Sequence, residues 1–318
     1  MCERAPRCFI CVMGLLTHKR PGDGGPRALG VCYNARLMAI DLHMHSTASD
    51  GTDPPQSFGE LAAAAGLSAI ALTDHDTVAG LGAAQASCKA AGVEFVPGIE
   101  LSTERGRPRG ALHMLGYFID PTSPQLGEVI DVLTEARSTR NPQIIEALNE
   151  VGVDITLEEV LDEAGGATVG RPHIAAVLVR KAYAKSIQDA FKRYIGVGGA
   201  AYRRKQGIHP AVAIDALHAA GGLAVLAHPV QLRCEDDEDL ERTIGSLAKL
   251  GLDGLEVWHS DHTPAQVKKY CRIAERYDLL LTGGSDYHGR RKSIQMGKPT
   301  VDDQVLAALR EAAQRRVQ

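Results

Sequence analysis

The chain has 318 residues, of which 44% are hydrophobic and 23% charged. That is enough apolar material for a sizeable core and excludes wholesale disorder. Its 35 Lys and Arg against 39 Asp and Glu give a net charge of −4, so the surface as a whole is not built to hold a long nucleic acid, although a local basic patch remains open. Only 4% of residues are aromatic, which disfavours a stacking platform for long single strands, and no apolar run approaches the roughly 20 residues of a bilayer span.

Residues 1–37 differ from the rest. Four of the seven cysteines (Cys2, Cys8, Cys11, Cys32) fall there, followed by a Gly/Pro/Arg-rich stretch from Arg20 to Gly30. Cys8 and Cys11 form a CxxC, but no second CxxC or nearby CxxH completes a zinc site. The apolar run Cys8–Leu16 leads into His18, Lys19 and Arg20 where a signal peptide would place small residues before cleavage. Met38 reads as the natural start, and the segment before it as an upstream-start artefact or a disordered tail. The remaining cysteines, Cys88, Cys234 and Cys271, show no pairing pattern and fit a reduced, cytoplasmic compartment.

From Ala39 onward, apolar runs of strand length alternate with helical patterns, the signature of a mostly parallel sheet or barrel. Strands are expected at Ile40–His43, Ala69–Leu72, Val93–Pro97, Leu112–Tyr117, Leu223–Ala227, Gly254–Trp258 and Leu279–Thr282. Ala-rich helices are expected at Ser57–Ala65 and Gly82–Ala91, with Gly66 and Gly92 as their stops. At the carboxyl ends of the strands stand, in order, His43 and His45; Asp74 and His75; Glu100; His113; His228; His259; Asp286 and His288. Strands of a parallel barrel deliver such ends to one mouth, so these distant residues point to one polar cluster.

Between His113 and His228 the pattern turns helical: Leu126–Leu133, Pro142–Val151, Leu157–Ala164, Pro172–Lys181 and Ile187–Ile195. Residues 123–205 read as a helical insertion, a lid over the mouth of a barrel formed by 38–122 and 206–318. Its last part, Arg180–Lys205, carries Arg180, Lys181, Lys185, Lys192, Arg193, Arg203, Arg204 and Lys205 against the single acid Asp189. That run is either a solvated face or a phosphate-attracting wall. The acidic run Glu235–Glu241 reads as a solvated loop and helix start.

His43 and His45, two apart on an extended segment, project to one face, a chelating geometry. Imidazoles mixed with carboxylates and no thiolate suit manganese, zinc, iron or nickel, not a hard all-oxygen site. Asp50, Asp74, Glu100 and Asp286 with six histidines exceed one tetrahedral zinc and support two or three ions, an arrangement that activates water and neutralises a phosphoryl group. No GxSxG elbow stands at a strand end, which argues against covalent acyl chemistry. His209, His218 and His262 read as surface or capping residues.

The motifs "DLHMHS" (Asp41–Ser46), "SDGT" (Ser49–Thr52), "LTDHDT" (Leu72–Thr77), "PGIELS" (Pro97–Ser102), "AHP" (Ala227–Pro229) and "GSDYH" (Gly284–His288) together resemble the PHP family, named for polymerase and histidinol phosphatase. The resemblance implies an α/β fold, a distorted seven-stranded (β/α) TIM-like barrel with a trinuclear metal site at its mouth. Carried over by motif, His43, His45, Glu100 and Asp286 would hold one ion. Glu100, His113 and His228 would hold a second, with Glu100 bridging, and Asp50, His75 and His288 a third. Asp74 would orient its motif instead of ligating.

Further stretches, "VGRPHIA" (Val169–Ala175), "AFKRYIGVGGAAY" (Ala190–Tyr202) and "LEVWHSDHTPAQ" (Leu255–Gln266), are similar to the standalone PHP phosphoesterases, a branch that includes nucleoside 3′,5′-bisphosphate phosphatases, which also trim short oligoribonucleotides from the 5′ end. The branch's usual Val-Pro after "AY" is replaced here by Arg203, Arg204 and Lys205. The resemblance implies hydrolysis of a nucleotide phosphomonoester by in-line attack of a hydroxide held between two ions. Manganese comes first as the metal, with zinc or iron as alternatives. Glu100 and Asp286 would act through the ions. Arg171 could clamp the non-reacting phosphate or cap a helix, and His259 could be the leaving-group acid, a phosphate contact or a structural hydrogen bonder. The expected partner is a small nucleotide or short oligonucleotide, with no membrane; the alternatives are a histidinol-phosphate-type phosphomonoesterase and a catalytically silent metal-binding module.

Overall fold

In a computed structural model of the chain, residues 38–104, 110–204 and 206–317 are described. The expectations for residues 1–37 fall outside them. All seven anticipated strands form: β1 (Ala39–Asp41), β2 (Leu67–Leu72), β3 (Glu94–Thr103), β4 (Leu112–Tyr117), β5 (Leu223–Leu226), β6 (Gly254–His259) and β7 (Leu280–Gly284). A two-residue β8 (Val301–Asp302), not anticipated, pairs antiparallel with β1 at the end of the sheet order β7-β6-β5-β4-β3-β2-β1-β8. The barrel nearly closes. Just beyond β1, Leu42 N–H donates to Gly283 O of β7 at 3.3 Å, and Met44 bridges to Tyr287 in parallel.

Among β1–β7 one strand runs against the rest. β1–β3 and β5–β7 pair parallel, but β4 is antiparallel to both of its neighbours. This corrects the reading that every chemical residue lies at a carboxyl strand end: His113 is the second residue of β4, and reversal of the strand brings its beginning to the mouth where the others end.

The wall between barrel and helices is apolar: Ile70, Leu72, Ile99, Met114, Leu226 and Leu255 are buried there. The opposite faces of the same strands line the interior with Ile40, Ala71, Val96, Leu115, Tyr117 and Val225, the period-2 division that a barrel requires. Helices α1 (Phe58–Ala64) and α2 (Leu81–Ala91) end as anticipated, with Gly66 and Gly92 at φ of 74° and 70°, a left-handed conformation that glycine adopts without a Cβ penalty.

Between β4 and β5 lie α3 (Pro124–Glu150), α4 (Leu157–Ala164), α5 (Arg171–Arg180) and α6 (Ile187–Ala190). A π-helical turn, Phe191–Ile195, follows directly on α6. The two helices anticipated at 126–133 and 142–151 are one: α3 continues through Pro142, whose missing N–H removes a single ladder bond. The N-terminal half of α3 buries Leu126, Val129 and Leu133 against the barrel. Its C-terminal half packs Ile144, Ile145 and Leu148 with Val160, Ile174 and Leu178 of α4 and α5 in a separate apolar cluster. A capping box fixes the start of α4: Thr156 Oγ1 accepts from Glu159 N–H, and Glu159 Oε2 accepts from Thr156 N–H. Beyond β5 follow α8 (Asp237–Lys249), α9 (Pro264–Arg276) and α10 (Asp303–Val317), while α7 (Pro210–Ala219) leads into β5. The acidic run reads as expected, with Asp236 capping α8 and three acids in its first turn. Among the described residues no helix is long and apolar enough to cross a membrane.

Candidate functional site

The strand ends converge on one mouth. His43 and His45 leave β1 fully buried, their ring centroids 5.2 Å apart. Two glycines make room for them. A Cβ on Gly284 would lie 2.3 Å from His43 N, and one on Gly51 2.1 Å from His45 O, so both motifs need glycine for close backbone approach.

Glu100 sits at the centre, within β3 and buried. Its Oε1 lies 2.8 Å from His113 Nδ1 and 2.9 Å from His228 Nε2. Its Oε2 lies 3.0 Å from His75 Nδ1, 3.2 Å from His45 Nε2 and 3.4 Å from His43 Nε2. One carboxylate therefore faces two sets of imidazoles. Asp286 Oδ1 lies 3.3 Å from His45 Nε2 and 3.6 Å from His43 Nε2. Asp50 meets His288 Nε2 at 3.3 Å, His45 Nδ1 at 3.8 Å and His75 Nε2 at 3.9 Å. The structure thus brings together all nine residues singled out as metal ligands. Their groupings agree in part with the motif-based assignment: His43, His45 and Asp286 fall together as expected, while His45 falls also with Asp50, His75 and His288, and His113 with His75 and Glu100, the donor atoms of each group lying within 4.8 Å of one another. His259 joins the same cluster, its Nε2 3.4 Å from Asp286 Oδ2.

The donor set fits divalent cations. Among the described residues, both ring nitrogens of His45 and Nδ1 of His75 and His228 are buried without a hydrogen-bond partner, a cost that metal coordination would reduce. Burial opposes charge on the carboxylates, yet the surrounding groups win. His75, His113 and His43 hold Glu100 well below the usual carboxylate range, His288 and His75 do so for Asp50, and Lys292, His288 and His43 for Asp286. Burial keeps His75, His228 and His288 below the ordinary imidazole value, in the neutral form that ligates. His43 and His45 go the other way. Carboxylates outweigh burial at both, lifting His43 well above its usual value and His45 to about 9.

Several residues of the site were not legible in advance. Glu256, inside β6 and fully buried, accepts from His43 Nδ1 at 2.9 Å and from His228 N–H at 2.6 Å. Because an ionised carboxylate only accepts, it places the His43 proton on Nδ1 and leaves Nε2 facing Glu100 and Asp286. Asp74, which the sequence reading kept out of the ligand set, ties its motif to the two before it, its oxygens accepting from Ser46 N–H, Ser46 Oγ and Ser49 Oγ at 2.6–2.7 Å. His262 is no surface residue: its ring lies tilted against His259, centroids 5.1 Å apart, and its Nδ1 bonds Val257 O.

Beside the cluster three arginines of the helical segment meet. Arg137 bonds Asp76, which also accepts from Ser102 N–H and Oγ. Arg140 is 4% exposed; among the described residues its Nε has no partner, and its Nη2 donates to the neutral Asn141. Burial, then the charges of Arg171 and Arg137, lower Arg140 to about 9. Arg171 donates to Ile195 O at 3.3 Å and lies 5.5 Å from the centre of the Phe191 ring. A cavity of about 780 Å³ runs outward from His113 past Arg171, Phe191, Lys192, Tyr202 and Arg204. The basic run is therefore divided: Arg180, Lys181 and Arg193 pair with Glu163, Glu159 and Asp189, while Lys192 and Arg204 line the cavity.

Residues 41–290 match the model of the PHP domain. The chain belongs to the PHP family. It is 34% identical over 259 residues to a 5′-3′ exoribonuclease of Haemophilus influenzae, covering 81% of this chain and 93% of the relative. It is 36% identical over 258 residues to a phosphoribosyl 1,2-cyclic phosphate 1,2-diphosphodiesterase of Eggerthella lenta (80% and 95%). A 3′,5′-nucleoside bisphosphate phosphatase of Chromobacterium violaceum is 32% identical over 254 residues (79% and 88%). The PHP fold is shared with a crystal structure from Bifidobacterium adolescentis described as a metal-dependent phosphoesterase, at 33% identity and TM-score 0.78, over 86% of this chain and 95% of that one.

Proposed function

We propose that this PHP-family phosphoesterase removes the 3′-phosphate of nucleoside 3′,5′-bisphosphates, trims short 5′-phosphorylated oligoribonucleotides, or does both. The observation that carries this reading is the arginine group beside the ligand cluster. Among the described residues, Asp76 is the carboxylate that acts on Arg140, and it is hydrogen-bonded to Arg137 and Ser102. A buried cation without an anion is costly, and a substrate bearing a second, non-reacting phosphate supplies what Arg140 and Arg171 lack. Arg171 is the clamp for that phosphate, with Arg140 behind it. The aromatic rings of Phe191 and Tyr202 with Lys192 and Arg204 in the adjoining cavity suit a nucleoside.

His43, His45, Asp50, His75, Glu100, His113, His228, Asp286 and His288 would hold two or three divalent ions, manganese first, with Glu100 bridging. Such ions supply an activated water and neutralise charge on the phosphoryl group in an in-line displacement. His259 is not a ligand in this reading. Its Nδ1 accepts from Asp261 N–H at 3.0 Å, so the neutral ring carries its proton on Nε2, aimed into the cluster, where it protonates the leaving oxygen or donates to the phosphate. The helical segment 123–205 serves as the lid, tied to the mouth by Thr168 N–H to Ala48 O at 3.2 Å and by Arg137 to Asp76.

The Eggerthella relative favours a second reading, attack on a cyclic phosphodiester of a phosphoribosyl group. One panel separates them. The manganese-loaded protein is assayed for phosphate release from adenosine 3′,5′-bisphosphate, for shortening of 5′-phosphorylated RNA trimers, for opening of a phosphoribosyl 1,2-cyclic phosphate and for hydrolysis of histidinol phosphate. Turnover of the bisphosphate or the trimers supports the first reading. Turnover confined to the cyclic ester or to histidinol phosphate overturns it.

A further inference from the structure

Lys292 stands outside every motif read from the sequence, directly after the 3-10 turn Gly289–Arg291. Its ammonium donates to Asp286 Oδ2, the oxygen that also faces His259 Nε2 at 3.4 Å. Asp50 and Glu100 act on it as well. The side chain is 34% exposed, so it lies at the boundary between cluster and solvent. The neighbouring cations do not share this position: Arg290 is exposed, and Arg291 reaches 3.7 Å from Glu163 of α4. The turn itself is anchored, because Arg290 N–H donates to Thr52 Oγ1 at 2.8 Å and Gly289, at φ 63°, leaves no space for a Cβ against Thr52.

An ammonium and divalent cations compete for the same carboxylates. When ions occupy Asp286, Glu100 and Asp50, like charge repels the ammonium, while the anchored turn keeps it at the rim. The next anion to enter that space is the phosphoryl group under attack. Resting on the phosphoesterase reading above, we propose that Lys292 is a catalytic residue whose ammonium leaves Asp286 as the cluster fills and donates to a non-bridging oxygen of the scissile phosphoryl group. It stays protonated throughout. No proton is transferred, and its effect is to stabilise charge that grows in the transition state.

The test uses Lys292→Met and Lys292→Arg in the full chain, with circular dichroism to verify folding and Lys292→Gln as the substitute should the Met variant not fold. Chelator-stripped Lys292→Met is expected to bind Mn2+ as tightly as the unaltered protein or more tightly, since a competing cation is gone. Loaded with metal, it should bind inorganic phosphate about tenfold more weakly by calorimetry. Its kcat on adenosine 3′,5′-bisphosphate should fall roughly 100- to 1000-fold, with part regained in Lys292→Arg. Weaker Mn2+ binding by Lys292→Met would assign the lysine to positioning Asp286 and overturn the proposal, as would unchanged phosphate affinity. If the unaltered protein turns over no phosphoester, the functional reading fails by itself, while the Mn2+ and phosphate titrations still decide the role of Lys292.

Discussion

Glu256 offers the sharpest test of how the cluster is organised, because it governs two histidines from one buried position. One oxygen accepts from His43 Nδ1 at 2.9 Å and the other from the backbone N–H of His228 at 2.6 Å. In Glu256→Gln the fixed donor at His228 N claims the amide oxygen. The amide NH2 then faces His43, whose Nδ1 must become an acceptor, moving its proton to Nε2. That proton points at Glu100 and Asp286, where a metal-binding lone pair is needed. Loss of a carboxylate partner behind a ligating histidine costs about 10- to 100-fold in metal affinity, or about 1.4–2.7 kcal/mol. The substitution also acts on the fold. Against the opposing effect of burial, His43 and His259 hold Glu256 at about 2 instead of 4.5, on the order of 3 kcal/mol favouring its ionised form. A folded pKa below the unfolded value contributes stability above pH about 4.5 that is lost as pH falls toward 2. Glu256→Gln should therefore melt lower than the unaltered apoprotein at pH 7, with the gap closing on acidification. Mn2+ titration by calorimetry, elemental analysis and melting curves from pH 7 down to about pH 3 check both arms. Unchanged Mn2+ affinity together with unchanged turnover would refute the tautomer argument.

Metal binding should release protons, because His43 and His45 are raised, the latter to about 9, and must shed protons to ligate. The logarithm of Mn2+ affinity is expected to rise with pH with a slope of about one or more between pH 6 and 8, measured as acid liberated on adding metal to a weakly buffered solution. Arg140→Met should raise KM for a 3′,5′-bisphosphate far more than for a nucleoside 3′-monophosphate. It should also stabilise the ligand-free protein by about 1–3 kcal/mol, because an unpaired buried cation is replaced by a chain of similar volume; equal KM changes for the two substrates would count against the clamp. Gly284→Ala should abolish tight metal binding, since its methyl would enter the His43 backbone at 2.3 Å and displace the end of β1. Normal metal content in that variant would show that β1 can yield.

The strands were legible because each is a short apolar run bounded by turns, and the site because histidines and carboxylates recur where those runs stop. The direction of β4 was not. A strand's pairing partner is a tertiary fact, and the local signal, His113 at the start of its run instead of the end, acquires meaning only once the reversal is known. Glu256 escaped notice for a related reason: an acid between Leu255 and Val257 reads as the solvent side of an alternating strand, and only closure of the barrel turns that side inward. Arg137 and Arg140 fall between the helices anticipated at 126–133 and 142–151 and carry no signal of their own, because nothing local reports that two separate apolar clusters share one helix.

Strained backbone is found both at the mouth and away from it, where Phe118, Ala182, Arg233 and Asp278 take positive φ. Away from the mouth the strand ladders of the barrel are regular apart from shifts in the β1–β2 and β6–β7 registers. At the mouth, three non-glycine residues take positive φ: Asp76 at 53°, His228 at 24° and Asp286 at 60°. Among the described residues, unpartnered nitrogens of His45, His75 and His228 and the unpartnered Nε of Arg140 lie there too. Backbone conformations of this kind cost about 1–3 kcal/mol each, and unpaired buried polar atoms add similar amounts. The apolar walls of β1–β7 offset these costs from outside the site. Because the orphaned groups are nitrogens facing carboxylates on one side and guanidiniums beside a cavity on the other, what relieves them differs: cations at the histidines, an anion at the arginines. A substrate that brings phosphate to both at once meets both demands, which is why two-phosphate substrates and metal should stabilise the fold more together than separately.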